Sequence, residues 1–176
     1  HGIDRAVWDR YRTRGAAWEY DVVAPGYKYN MSDICAAIGI EQLKNAQEFR
    51  EDRERIARMY LRGFEGIDFL RPPAAPEDHA WHLFILRIRP DRLTITRNEF
   101  IDLLGEKGIG VSVHFKPLHL MSYYKKEYSL SPRDFPTASK AFESCISLPL
   151  YPGLSDEQVE YIVRTVIDIG KNRYRG

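Results

Sequence analysis

The sequence predicts an α/β fold: a small sheet with flanking helices, preceded by a long helix and an irregular arm. Three observations carry that prediction. From His82 onward, short apolar runs alternate with segments of helical period in the order β-α-β-α-β-α, the pattern of a sheet with helices packed on it. Two of the helix starts are marked by capping boxes, Thr96 with Glu99 and Ser155 with Gln158. Ahead of them, apolar residues recur at helical spacing from Ile34 to Phe64, whereas 1–30 keeps no period of either kind.

Composition bounds what such a fold does. A chain of 176 residues with 44% hydrophobic residues builds one domain with a real core plus an arm, and reads as globular and soluble. Lys and Arg number 26 against 25 Asp and Glu, so net charge makes no footprint for nucleic acid or a membrane surface. No apolar stretch has the length to span a bilayer and nothing resembles a signal peptide. Cys35 and Cys145, far apart in apolar contexts, read as buried, reduced thiols of a cytoplasmic protein. The opening "HGIDRAVWDRYR", without an initiator methionine, reads as the interior of a longer chain.

Taken in order, 1–31 forms the arm, with one short helix expected near 4–12. Ser32 then offers an N-cap, and Ile34, Ala37, Ile38, Leu43, Ala46, Phe49, Ile56, Tyr60 and Phe64 continue one long linking helix over 32–66. Its block "REDRERIARMYLR" alternates charge sign, as a solvated face laced with salt bridges does. Pro72, Pro73 and Pro76 make "LRPPAAPEDHAW" a linker that neither strand nor helix tolerates, leading into a small α/β domain over 67–176. "HLFILRI" at 82–88 is the first strand. Phe100, Leu103 and Leu104 give the next helix its buried stripe, and Gly108 ends it as a C′ residue. "VSVHF" at 111–115 is the second strand, Pro136 opens a helix, "CISLPL" is the third strand, and Val159, Ile162, Val163, Val166 and Ile169 define a last helix that stops before Gly170.

Four histidines fall in two pairs, "HAWH" (His79, His82) and "HFKPLH" (His114, His119). Zinc needs three or four convergent ligands, yet neither cysteine is near a histidine in sequence and no H-E-x-x-H appears, so no metal is expected. "HAWH" reads equally as a strand start with Trp81 in the core. "HFKPLHLMSYYKKEY" gathers His114, Lys116, His119, Tyr123, Tyr124, Lys125 and Lys126 after a strand, and cations beside flat aromatics suit an anionic, partly planar ligand such as a nucleotide. A solvated loop with stray aromatics is the other reading of the same residues. "GYKYN" at 26–30 sets Lys28 and Asn30 beside a helix N-terminus, which attracts anions, although no Walker lysine and no G-x-G-x-x-G accompany it. Its alternative is a Pro-Gly turn whose tyrosines pack on the long helix.

The blocks "APGYKYNMSDICAAIGIEQLKN", "HAWHLFILRI", "EKGIGVSVHFKPLH", "YYKKEY" and "SLPLYPGLSDEQVEYI", in this order, resemble the nucleotide-sugar aminotransferases of the DegT/StrS type, which are fold type I pyridoxal phosphate enzymes. "GYKYN" and "HAWHLFI" look most like the subgroup acting on UDP-4-keto-pentose (4-amino-4-deoxy-arabinose) sugars in lipid A modification, while "HFKPLH" is also similar to enzymes of 4-keto-6-deoxyhexoses. The resemblance implies the C-terminal small domain of such a transferase, in a homodimer that moves an amino group from glutamate to a keto nucleotide sugar for cell-surface polysaccharide or lipid A modification. Family members are about twice as long, and their first part holds the catalytic lysine, ahead of a Gly-rich segment, and the aspartate that pairs with the cofactor ring.

None of the lysines from Lys28 to Lys171 stands in the catalytic lysine's context, so this segment alone is expected to be inactive. By the same resemblance Lys28 or Asn30 reaches across the dimer to the partner's cofactor phosphate, many members having Asn where this sequence has Lys28. His114, Lys116, His119 and Tyr123 lie toward the nucleotide sugar, with His1, Trp18 and Tyr20 as weaker candidates. Two alternatives stay open at this level: a sugar dehydratase of the same family, and a stand-alone, non-catalytic nucleotide-sugar binding module. Val22, Val23 and Ile34 are expected to be exposed and to drive self-association.

Overall fold

A computed structural model of the protein describes residues 2–4 and 20–175, which divide into two compact units, 1–44 and 45–176. Most of the helix expected near 4–12, together with His1 and Trp18, lies outside the described residues. Among the described residues no helix is long and apolar enough to cross a membrane.

In the first unit, Ile3 and Val22 form an antiparallel bridge. Val23 and Ala24 both donate their N–H to Gly2 O, at 2.8 and 3.2 Å. Gly2 sits at φ +72°, where a Cβ would stand 1.9 Å from Ala24 O, so glycine is required at that crossing. Helix α1 (Asp33–Lys44) begins where the sequence placed it: Ser32 Oγ accepts the N–H of Cys35 at 3.3 Å, and Asp33 occupies the first turn. No residue of α1 is buried. Ile34, Ile38, Ile40 and Leu43 are all exposed, as are Val22 and Val23 before them. Cys35 is exposed as well, against the expectation of a buried thiol, because α1 has no packed face for it to turn into; Cys145 is buried as expected.

The single helix expected over 32–66 is interrupted. Its backbone pattern breaks at Asn45, a residue whose short amide competes with helical hydrogen bonding, and α2 (Ala46–Gly63) starts afresh beyond it. In the second unit α2 is strongly amphipathic and buries Ile56, Ala57 and Tyr60, followed by Phe64 at its end. It lies along the last helix, α6 (Asp156–Asn172), closely enough that a Cβ at Gly63 would stand 2.6 Å from a methyl of Val163.

A three-stranded antiparallel sheet joins these helices, in the order β1 (Leu70–Arg71), β2 (Phe84–Ile88), β3 (Cys145–Leu148). Leu70 faces Ile88 and Arg71 faces Arg87 on one side of β2, while Phe84 faces Leu148 and Arg87 faces Cys145 on the other. Phe84, Leu86 and Ile88 point into the core beside Tyr60, Phe64 and Trp81, and Ile85 and Arg87 take the opposite, half-buried face. Three expectations change here. β2 starts at Phe84, two residues later than read. Leu70–Arg71 supplies an edge strand just before the prolines, since Pro72 ends the ladder only after two residues have paired. "VSVHF" is no strand; Ser112 alone bridges to Ser147, and the chain then turns toward Pro117.

Both capping boxes form. Thr96 and Glu99 exchange hydrogen bonds ahead of α3 (Arg97–Glu106), and Ser155 and Gln158 do so ahead of α6. Gly108, at φ +75°, follows α3 as expected. Gly170 does not end α6, which continues to Asn172. Two shorter helices complete the unit, α4 (Ser122–Glu127) and α5 (Pro136–Ser144), the latter opened by its proline.

Candidate functional site

Among the described residues the segment 111–128 pairs with β3 at Ser112 alone before it enters α4, so side chains help to hold it. Ser147, in the middle of β3, anchors its start. Its backbone exchanges hydrogen bonds with Ser112 at 2.7 and 3.2 Å, and its hydroxyl lies 2.8 Å from His114 Nδ1. Ser139 on α5 anchors the middle. His119 is 5% exposed, with Nε2 2.9 Å from Ser139 Oγ. That hydroxyl donates to Pro132 O at 3.1 Å, so it accepts from His119, and the ring carries its proton on Nε2. The carboxylate of Asp134, which accepts the N–H and the hydroxyl of Ser131, is held below its usual range mainly by that N–H.

Between and beyond these anchors, Lys116 and Tyr123 project into solvent. The Tyr123 ring meets Tyr124 edge-on, with centroids 5.3 Å apart, and Tyr124 stacks on Tyr128. The structure therefore separates the four residues expected on this segment. Lys116 and Tyr123 are open to a ligand, His114 is half-buried with one ring nitrogen on Ser147, and His119 is turned inward. An exposed ammonium and exposed tyrosine rings on one segment, pinned to a rigid sheet, are suited to an anionic group attached to a flat or polar ring. Ser139 and Ser147, which sequence reading passed over, set the positions of both histidines. Isolated serines carry no pattern that would have marked them.

In the first unit, Tyr27 and Tyr29 stack with centroids 5.4 Å apart and planes at 7°. Lys28 between them is exposed, with no ion-pair partner among the described residues, and Asn30 and Tyr20 are exposed too. An unneutralised ammonium four residues before the capped N-terminus of α1 fits one contact to a dianionic phosphate. In "HAWH", Trp81 is 3% exposed and donates its N–H to His79 Nδ1 at 2.8 Å, so this pair serves the strand start. Among the described residues no three His, Cys, Asp or Glu side chains converge as metal ligands.

A mixed α/β domain with a small antiparallel sheet and flanking helices is the architecture of the small domain in fold type I transferases. The family model described as the DegT/DnrJ/EryC1/StrS aminotransferase family matches residues 1–167, and the chain belongs to that family. It is 46% identical over 168 residues to the uncharacterized protein MJ1066 of Methanocaldococcus jannaschii, covering 94% of this chain and 43% of that protein. It is 42% identical over 174 residues to the spore coat polysaccharide biosynthesis protein SpsC of Bacillus subtilis, covering 97% of this chain and 44% of that one. Among solved structures, Spr1654 of Streptococcus pneumoniae, provisionally assigned as a sugar aminotransferase and solved in its PMP form, superposes with a TM-score of 0.77 at 35% identity, covering 98% of this chain and 43% of its own. The same protein has been solved in a PLP form. The chain thus spans less than half the length of the relatives it matches.

Proposed function

We propose that this chain is the C-terminal portion of a pyridoxal phosphate-dependent aminotransferase that moves an amino group from glutamate to a keto nucleotide sugar, in cell-surface polysaccharide or lipid A modification. The observation that carries the substrate side is the pinned segment 111–128. Ser147 and Ser139 hold its histidines, so Lys116 and Tyr123 are presented to a ligand from a fixed base. Lys116 pairs with the sugar's diphosphate, Tyr123 flanks the nucleotide or sugar ring, His114 orients the approach to Lys116, and His119 keeps the segment folded.

When bound, the cofactor supplies the electron sink for amino transfer. From this chain, Lys28 with Asn30 holds its phosphate, across a cytoplasmic homodimer. The catalytic lysine belongs to the remainder of the protein, so the isolated segment does not transaminate. Family membership and the PLP and PMP forms of Spr1654 support this reading.

The test is an assay of the full-length protein, loaded with pyridoxal phosphate, for amino transfer from glutamate to a panel of UDP- and dTDP-linked 4-keto sugars. Amination of one or more is expected. Loss of water from the sugar without amination would install the dehydratase in its place, and binding without turnover would leave a binding module.

A further inference from the structure

A concave site lined by none of the residues of 111–128 lies on the face of the sheet opposite the core. It is a cavity of about 350 Å³ whose charged lining is Arg71, Arg87, Arg89, Lys140, Asp91 and Glu143. Antiparallel register puts Arg71 directly opposite Arg87, two like charges on one face of a two-strand ladder, an arrangement that is destabilising when nothing anionic lies between them. Lys140, on the adjoining turn of α5, brings a third cation to the same space.

Only part of this charge is neutralised from within. Arg89 is paired with Asp68 at 2.9 Å and with Asp91 at 3.5 Å. Arg87 is aimed instead of neutralised: its Nε donates to the hydroxyl of Ser144, 4% exposed, at 3.0 Å, and its two Nη groups make no hydrogen bond among the described residues. Arg71 and Lys140 have no ion-pair partner among the described residues, and Glu143 lines the cavity without pairing to any of the three. Setting the Arg89 pairs aside, three cations face one carboxylate, a surplus of two positive charges around a hollow wide enough for a small anion.

We propose that this cavity binds a dianionic phosphate group, with the Nη pair of Arg87 as the oriented fork and Arg71 and Lys140 closing on the remaining oxygens. A planar guanidinium fixed by a buried hydroxyl presents two parallel donors to a tetrahedral oxyanion, and the bound charge relieves the Arg71–Arg87 repulsion. The site does not depend on the aminotransferase reading. The phosphate comes either as free inorganic phosphate or as the terminal group of a phosphorylated small molecule.

Calorimetric titration of the full-length, cofactor-saturated protein with inorganic phosphate and, separately, with UMP tests this, each repeated on the double variant Arg71→Ala/Lys140→Ala and on Arg87→Gln. Both altered surface cations are exposed, and removing Arg71 relieves its repulsion with Arg87, so the double variant is expected to melt no lower than wild type in phosphate-free buffer. Phosphate binding that weakens about tenfold or more in both variants supports the site with the free anion as ligand. Variant-sensitive binding seen with UMP, and tighter than with phosphate, supports it with a phosphate ester as ligand. Binding of neither below about 10 mM, or binding of equal strength in wild type and variants, overturns it.

Discussion

Gly170 lies against the ring of Phe69 with no room for a side chain: a Cβ built at 170 would stand 1.9 Å from Phe69 Cε2 and 2.3 Å from Cζ. Phe69 is itself buried, and its ring meets Tyr174 at 5.9 Å, so it has little space to withdraw. Gly170 is therefore a packing glycine inside α6, where the ring of a neighbouring element occupies the volume a Cβ needs.

Gly170→Ala is accordingly expected to destabilise the protein. Overpacking a core costs about 1–3 kcal/mol, and the better helix propensity of alanine returns only about 1 kcal/mol of that. Denaturant midpoints check it, and the double variant Gly170→Ala/Phe69→Leu should recover part of the loss. An unchanged midpoint in Gly170→Ala would show that the ring moves freely.

Tyr60 sets an alkaline limit. Its buried phenol donates to Pro149 O at 2.8 Å, and burial, with a smaller contribution from Tyr151, pushes its pKa well above the ordinary value of 10.0. The folded state thus keeps a proton that the unfolded state gives up, so this stability is complete below pH 10 and declines as pH rises beyond it. Tyr60→Phe should cost about 1 kcal/mol at pH 7 and flatten the stability profile above pH 10, as read by urea melts.

Asp52 acts at the acid end. Its carboxylate accepts the N–H of Gly153 at 2.6 Å and a guanidinium N–H of Arg55 at 2.6 Å, tying α2 to the loop before α6, while Arg55 also pairs with Asp156. The Gly153 hydrogen bond, more than Arg55, holds its pKa below 3.8 against the opposing effect of burial. The stabilisation is present above that value and lost as pH falls through the folded-state pKa. Asp52→Asn should cost about 1 kcal/mol at pH 7, and the gap to wild type should narrow as pH falls below 3.8 and through the folded-state pKa. A gap that persisted there would assign the effect to packing.

Lys28 is expected to hold the cofactor phosphate more firmly than Asn30, because an ammonium contributes charge as well as a hydrogen bond. Titrating the full-length apoprotein with pyridoxal phosphate, followed by absorbance, should show Lys28→Ala weakening affinity about tenfold and Asn30→Ala about threefold. The reverse order would move the contact to the amide.

Lys116 and His119 are expected to behave differently although both were read as substrate residues. Lys116→Ala should raise KM for the nucleotide sugar about tenfold with little change in kcat, the signature of lost binding. His119→Ala should lower the melting temperature, removing a buried ring and a hydrogen bond at a cost of about 2 kcal/mol. A KM effect at His119 with unchanged stability would return it to the ligand.

The particular elements show where sequence reading succeeds. Thr96 with Glu99 and Ser155 with Gln158 were legible because a capping box is contained in four consecutive residues. The α6 stripe was legible because helical periodicity is local, and Trp81 because a large apolar side chain at a strand start has few places to go except the core. Gly170 was misread because a glycine after a periodic run looks like a stop, and only the position of Phe69, far away in sequence, distinguishes a stop from a contact.

For the site, the sequence by itself determined the chemistry on offer: the cations and aromatic rings of 114–126 and the "GYKYN" turn, together with the family they resemble. Which of those groups face a ligand was decided by tertiary structure. His119 turns inward to Ser139 and His114 leans on Ser147, while Lys116 and Tyr123 stay exposed. The pairing of Leu70–Arg71 with β2, which sets Arg71 against Arg87, was likewise invisible beforehand. The physical reason is common to all of these: caps and periodicity act over one or two turns of chain, whereas register and side-chain burial depend on partners brought together only when the core closes.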